Sequence, residues 1–131
     1  MKHNLNLITD LPKLEQVEID GVRHYTADDG SIKTPYPSVT TVLSADKSKA
    51  EGIRKWRERV GEEEANKVSH MATQRGTAVH QIMEDYILQQ EPKTKPMPIH
   101  LATAIGLKQW VDIYIDNVRL VEGQLFSHEL R

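Results

Sequence analysis

The sequence contains no cysteine, which removes disulfide frameworks, thiolate zinc sites and cysteine nucleophiles from consideration together. Aromatic residues are sparse, at 5% with a single phenylalanine, so the core lacks most of its largest apolar anchors and folding alone is expected to be marginal. No sign of charge dominates. Lys and Arg number 17 against 19 Asp and Glu, a formal net charge of −2. Without a global positive field, any nucleic-acid contact has to come from a local patch. No apolar run approaches the length of a membrane span, and the opening residues, although they include Lys2 and His3, carry no secretory pattern. The expected setting is soluble, reducing and cytoplasmic, with no membrane partner. Internal repeats and low-complexity tracts are absent, as are a Gly-x-x-x-x-Gly-Lys phosphate loop, a His-Glu-x-x-His zinc helix and a Gly-x-Ser-x-Gly elbow.

What is there reads as one unit of 131 residues with an ordinary balance of 38% hydrophobic and 27% charged residues. Val17-Glu18-Ile19 and Val22-Arg23-His24-Tyr25 flank Asp20-Gly21, a dipeptide suited to the positive φ angles of a tight hairpin turn. Asp28-Asp29-Gly30 and Pro35-Tyr36-Pro37 then form a turn-rich link. Ser38 stands where its hydroxyl caps a short helix carrying Val39, Val42 and Leu43. Ile53, Trp56 and Val60 recur at helical spacing, with Trp56 expected as a core anchor, amid Lys47, Lys49, Arg54, Lys55, Arg57 and Arg59. Glu62-Glu63-Glu64 suits the start of a long helix whose buried side runs through Val68, Met71, Ala72, Val79, Met83 and Tyr86. Pro92, Pro96 and Pro98 mark an exposed loop, after which Leu101, Ile105, Leu107, Val111, Tyr114 and Ile115 resume a helix expected to end near Asn117. Residues 118–126 read as a single strand, and 127–131 as the start of a turn or a second strand.

Chemistry concentrates in Arg75-Gly76-Thr77-Ala78-Val79-His80, followed by Glu84. On a helix Gly76, His80 and Glu84 stack on one face at four-residue intervals. Gly76 lets a backbone or phosphate approach, His80 can offer a ring nitrogen to a divalent metal, and Glu84 can orient the imidazole through its second N–H. A lone histidine on a helix is usually a surface or satisfied core residue, so His80 taken alone proves little. The remaining histidines, His3, His24, His70, His100 and His128, lack metal-ligand spacing and are expected at the surface.

Three segments in order carry a resemblance. They are Pro37-Ser38-Val39-Thr40-Thr41-Val42-Leu43-Ser44, then Trp56 with Arg59-Val60-Gly61-Glu62-Glu63-Glu64-Ala65-Asn66, then the Arg75 to His80 motif with Glu84. Together they resemble the opening of phage-type RecB-like PD-(D/E)XK exonucleases. The mitochondrial genome maintenance exonuclease is similar in the same order. The resemblance covers residues 36–131 and implies a metal-dependent DNA exonuclease, with DNA as partner, Mg²⁺ or Mn²⁺ as cofactor, and a cytoplasmic setting in a bacterial host if phage-encoded. It implies that His80 is a metal ligand and that Arg75 and Thr77 lie near the DNA backbone. Glu122 matches an acidic position of the family's first core strand, and an exposed strand glutamate is the alternative.

The family continues with a Gly-x-x-Asp segment and an Asp/Glu-x-Lys strand, neither of which occurs before Arg131. Magnesium binds mainly oxygen ligands, so one neutral imidazole cannot hold it, and no lysine is placed by motif to stabilise in-line attack. The expectation is an N-terminal fragment of the nuclease with little or no turnover by itself. Arg54 and Lys55, within the basic segment, are candidate phosphate contacts or simply a solvated helix face. The fold is expected to be α+β and mainly helical, the front of a PD-(D/E)XK nuclease fold with an incomplete sheet. Its parts are a hairpin and linker at 1–37, a helical layer at 38–117 and a truncated first core strand at 118–131. A non-catalytic DNA-binding or protein-interaction module derived from such a nuclease is the alternative, and oligomeric state leaves no mark in the sequence.

Overall fold

The computed structural model describes residues 3–130. The chain is α+β: four helices hold about half the described residues, and the strands are short. Its contacts divide into two compact units, Met1–Thr9 with Asn66–Gly123, and Asp10–Ala65 with Gln124–Arg131.

The second of these units begins with a hairpin, β2 (Leu14–Ile19) antiparallel to β3 (Val22–Ala27). Its turn is the expected Asp20-Gly21, with φ of 53° and 74°. Two consecutive positive φ angles match the right-handed twist of the strands, and only a residue pair of this kind adopts them at small cost. The hairpin gains a third strand where the sequence suggested a link: β4 (Tyr36–Pro37) pairs antiparallel with β3, placing Tyr36 opposite Tyr25 and Pro37 opposite His24. Proline is tolerated because β4 is an edge strand, where a missing donor breaks no second ladder. Ser38 then caps α1 (Val39–Ser44), its Oγ accepting the Thr41 amide at 3.1 Å. Asp46 caps α2 (Lys47–Val60) through the Ser48 amide at 2.9 Å, and Gly61 closes it with a φ of 88°. Trp56 is only half-buried and Ile53 exposed, so α2 has no buried residue and Trp56 is not the expected core anchor. Ile32 and Ala65 supply the unit's buried apolar side chains.

The other unit is built on α3 (Glu62–Ile87) and α4 (Pro98–Tyr114). Three glutamates open α3, complementing the positive end of its dipole, and Pro98 opens α4 at a position whose amide needs no partner. The expected buried stripe of α3 is packed only in its second half. Val79, Met83 and Tyr86 are partly covered, whereas Val68 and Met71 are exposed. α4 buries Ala104 and Val111. It ends at Tyr114, three residues short of the expected Asn117, because Ile115 turns to an extended conformation with φ −116° and ψ 121°.

That turn delivers β5 (Asn117–Val118) alongside β1 (Asn4–Leu5), and the two run parallel. Further amide bonds, Asn6 to the Val118 carbonyl at 2.9 Å and Ile8 to that of Arg119 at 2.8 Å, extend the contact slightly. The strand expected over 118–126 stops there. Beyond Arg119 no further backbone ladder continues among the described residues, and Glu122, with φ 52°, bends the chain out of extended geometry. A Cβ at the following Gly123 would overlap the Leu120 side chain, so this bend depends on glycine.

The N-terminal tie also corrects the expectation for His3, which is 5% exposed and not a surface residue. Its Nδ1 donates to the Ile115 carbonyl at 2.7 Å, its ring meets Tyr86 edge-on, and Gln89 donates to its carbonyl at 2.9 Å. Nε2 faces Asp112 Oδ1 at 3.2 Å without hydrogen-bond alignment. Nothing in the local pattern around His3 announces this burial.

Candidate functional site

The segment that carried the sequence argument lies within α3 as expected, and Gly76, Thr77, His80, Gln81 and Glu84 line one open depression of about 400 Å³. Helical spacing accounts for this grouping, because positions three and four apart share a face. Gln81 was not singled out in the sequence, although it stands four residues after Thr77 and belongs on the same side. No atom lies within 4 Å of a Cβ built at Gly76, so the approach to the helix is open there.

The informative contact is between two residues far apart in sequence. His80 Nδ1 lies 3.1 Å from Glu122 Oε1. The positive φ of Glu122 turns the chain after β5 so that its carboxylate reaches back to α3. A non-glycine residue in this region is uncommon, and such conformations concentrate where a side chain has to be aimed. Glu84, the expected partner of the imidazole, lines the same depression, but the carboxylate that touches the ring is that of Glu122. The two atoms are close enough to pair electrostatically when the ring is protonated, without hydrogen-bond alignment between them.

This pair is accessible. The His80 side chain is 68% exposed and that of Glu122 is 51% exposed, so the contact is made at the surface in water, where its energy is small.

The other proposed contacts are distributed differently. Arg75 is exposed on α3 and makes no ion pair or hydrogen bond among the described residues. Arg54 is engaged on α2. It donates to Glu51 through Nε at 2.9 Å and pairs with Glu58 as well, and the bond with Glu51 raises the guanidinium above its ordinary value while lowering the Glu51 carboxyl. Lys55 stands 3.9 Å from Glu51. Arg57, next along, binds Glu62 at 2.9 Å. The centre of the densest basic segment is therefore paired with glutamates, Arg54 and Lys55 at the i, i+3 and i, i+4 spacings that favour such pairs and Arg57 five residues before Glu62.

The donor set does not fit a resident Mg²⁺ or Mn²⁺. Among the described residues no three His, Asp or Glu side chains converge in a way that could hold a metal ion. The depression offers one imidazole and one contacting carboxylate, with Glu84 along the wall, where such cations require six or more ligands, mainly oxygen. Glu84 and Glu122 also make this spot acidic, so attraction of a phosphate has to come from donors outside it, such as Arg75, exposed one residue before Gly76 on the same helix.

A second cavity of about 250 Å³ lies between α3 and the proline-rich loop, lined by Ile82, Asp85, Pro92, Lys93 and Pro96 among others. Asp85 is buried there and accepts from Gln81 Nε2 at 3.0 Å. No helix of the described residues is long and apolar enough to cross a membrane. Comparison with family profiles, with curated proteins and with solved structures finds no match for this chain.

Proposed function

We propose that this chain supplies the DNA-facing helical layer of a metal-dependent DNA exonuclease of the RecB-like PD-(D/E)XK kind, and that by itself it binds DNA without hydrolysing it. The observation that carries this reading is the meeting of His80 with Glu122 at 3.1 Å beside Gly76 and Thr77. The resemblance implies a metal ligand at His80 on α3 and matches Glu122, after β5, to an acidic position of the family, and a nuclease reading requires those two stretches to come together. Chance similarity along one helix carries no such requirement.

Turnover is not part of the proposal for the chain as it stands. An in-line displacement on a phosphodiester needs an activated water and stabilisation of charge at the phosphate, and the described side chains provide neither a complete metal site nor a cation at the depression. What this chain can do is orient. Glu122 lies beside the imidazole, Gly76 leaves the helix approachable, and Thr77 and Arg75 offer donors for backbone oxygens.

The test is equilibrium binding of fluorescently labelled DNA by anisotropy over a salt series, alongside a cleavage assay with Mg²⁺ and with Mn²⁺. Binding that weakens as salt rises, without release of nucleotides, is the expected result. Absence of binding at low salt overturns the DNA reading, and metal-dependent cleavage abolished by His80→Ala overturns the claim of inactivity.

A further inference from the structure

α4 turns its two charged residues inward. Lys108 sits over the Tyr86 ring, 4.9 Å from its centroid, and Asp112 accepts the Tyr86 hydroxyl. The opposite face of α4 carries no charge at all. It is formed by Ile99, Ala102, Thr103, Gly106, Gln109, Trp110 and Ile113, with Tyr114 at its end stacked at a tilt on Trp110, 4.8 Å between ring centroids. Ile99 is 63% exposed, Trp110 57%, Ile113 73% and Tyr114 68%. A surface helix normally places polar residues on its outer side.

Gly106 stands at the centre of this face. Glycine inside a helix is less stable than alanine, and no close approach among the described residues requires it, because none of their atoms lies within 4 Å of a Cβ built there. Helical spacing sets the residues of this face in positional pairs about it. Counting outward from Gly106, Thr103 answers Gln109, Ala102 answers Trp110, and Ile99 answers Ile113. If two copies of α4 cross antiparallel at Gly106, polar meets polar, the large indole meets the small alanine, and isoleucine meets isoleucine, each contact occurring twice. Self-complementarity of this kind is what a two-fold interface demands, and a foreign partner would have no reason to match it.

We propose that this face of α4 is the contact between two copies of this chain, paired antiparallel about Gly106. With aromatic side chains of about 200 Å² each, the two aromatics and two isoleucines offer about 500 Å² per copy, or about 1,000 Å² for the pair, the size of a weak, reversible interface.

The test uses sedimentation velocity and cross-linking of the whole chain. The wild type is expected to dimerise with a concentration-dependent sedimentation coefficient, at about 100 µM or below. Because the chain lacks cysteine, Gly106→Cys introduces a single thiol at the two-fold axis. It is expected to oxidise to a disulfide-linked dimer, since bridging requires Cα atoms within about 7 Å. Ile113→Cys is expected not to, as its copies lie about 20 Å apart along the helices at about 1.5 Å per residue. Gly106→Leu meets open space within its own chain, so its circular dichroism should match the wild type while dimerisation weakens by about tenfold or more. A chain that stays monomeric, a dimer indifferent to Gly106→Leu, or equal cross-linking at positions 106 and 113 overturns the proposal.

Discussion

Tyr86 donates its hydroxyl to Asp112 Oδ1 at 2.5 Å, joining α3 to α4 between side chains that also flank the buried His3. The bond holds the Asp112 carboxyl below its ordinary value of 3.8 and raises the Tyr86 phenol above 10.0. A depressed carboxyl contributes stability that is present above 3.8 and is lost as pH falls through the lower folded value. A raised phenol contributes stability that is present below 10.0 and is lost as pH rises through the higher folded value. The urea midpoint measured over a pH series is therefore expected to fall at both ends. Asp112→Asn should flatten part of the acid limb and the alkaline limb, leaving the share due to Asp29, Asp46, Glu51 and Glu62, whose carboxyls are also lowered. Identical pH profiles for the variant and the wild type would show that this bond does not form in solution.

Ser38 is buried and gathers three hydrogen bonds, from the Thr41 amide and with the hydroxyls of Thr40 and Thr41. α1 has only six residues, too few to be stable without its cap. Ser38→Ala is expected to lower stability by about 1 kcal/mol, read as a shift of the denaturation midpoint, while Ser38→Asp, which restores the amide's acceptor, should recover part of it. Equal stability of Ser38→Ala and the wild type would mean that the cap contributes nothing.

The hairpin tests a local sequence signal against a backbone angle. Gly21 has φ 74° and no atom within 4 Å of a Cβ built on it, so a side chain there meets strain without any clash. Gly21→Ala should therefore cost about 1 kcal/mol through backbone conformation alone. Asp20→Asn, which favours the same turn, should leave stability unchanged or slightly raise it. A neutral Gly21→Ala would indicate that the turn adopts another geometry in solution.

These two elements were legible because their signals are local. Asp20-Gly21 sets a turn and Ser38 sets a cap whatever the rest of the chain does, and Glu62 to Glu64 likewise place the start of α3. Elements that depend on a remote partner were not legible. Residues 118–126 contain strand-favouring side chains, yet β5 is two residues long, as is β1, the neighbour it has among the described residues. Tyr36–Pro37 becomes a strand only because β3 offers it an edge. The same division applies to the candidate site. The face shared by Gly76, His80 and Glu84 follows from helical spacing, whereas the choice of Glu122 over Glu84 as partner of the imidazole depends on a positive φ beyond β5 that no pattern announces.

The basic residues offer the sharpest comparison for DNA binding. Arg54 is held by Glu51 and Glu58, and Arg57 by Glu62, so using either on a phosphate first requires an existing pair to break. Arg75 has no such competitor among the described residues. Arg75→Ala is expected to weaken DNA binding and to reduce the slope of log affinity against log salt by about 1, as loss of one phosphate contact does. Arg54→Ala should leave the slope within error, since the glutamates it releases offset whatever contact is lost. Anisotropy titrations of both variants at several salt concentrations check this. A larger loss of slope for Arg54→Ala than for Arg75→Ala would place the DNA on α2 and remove α3 from the interface.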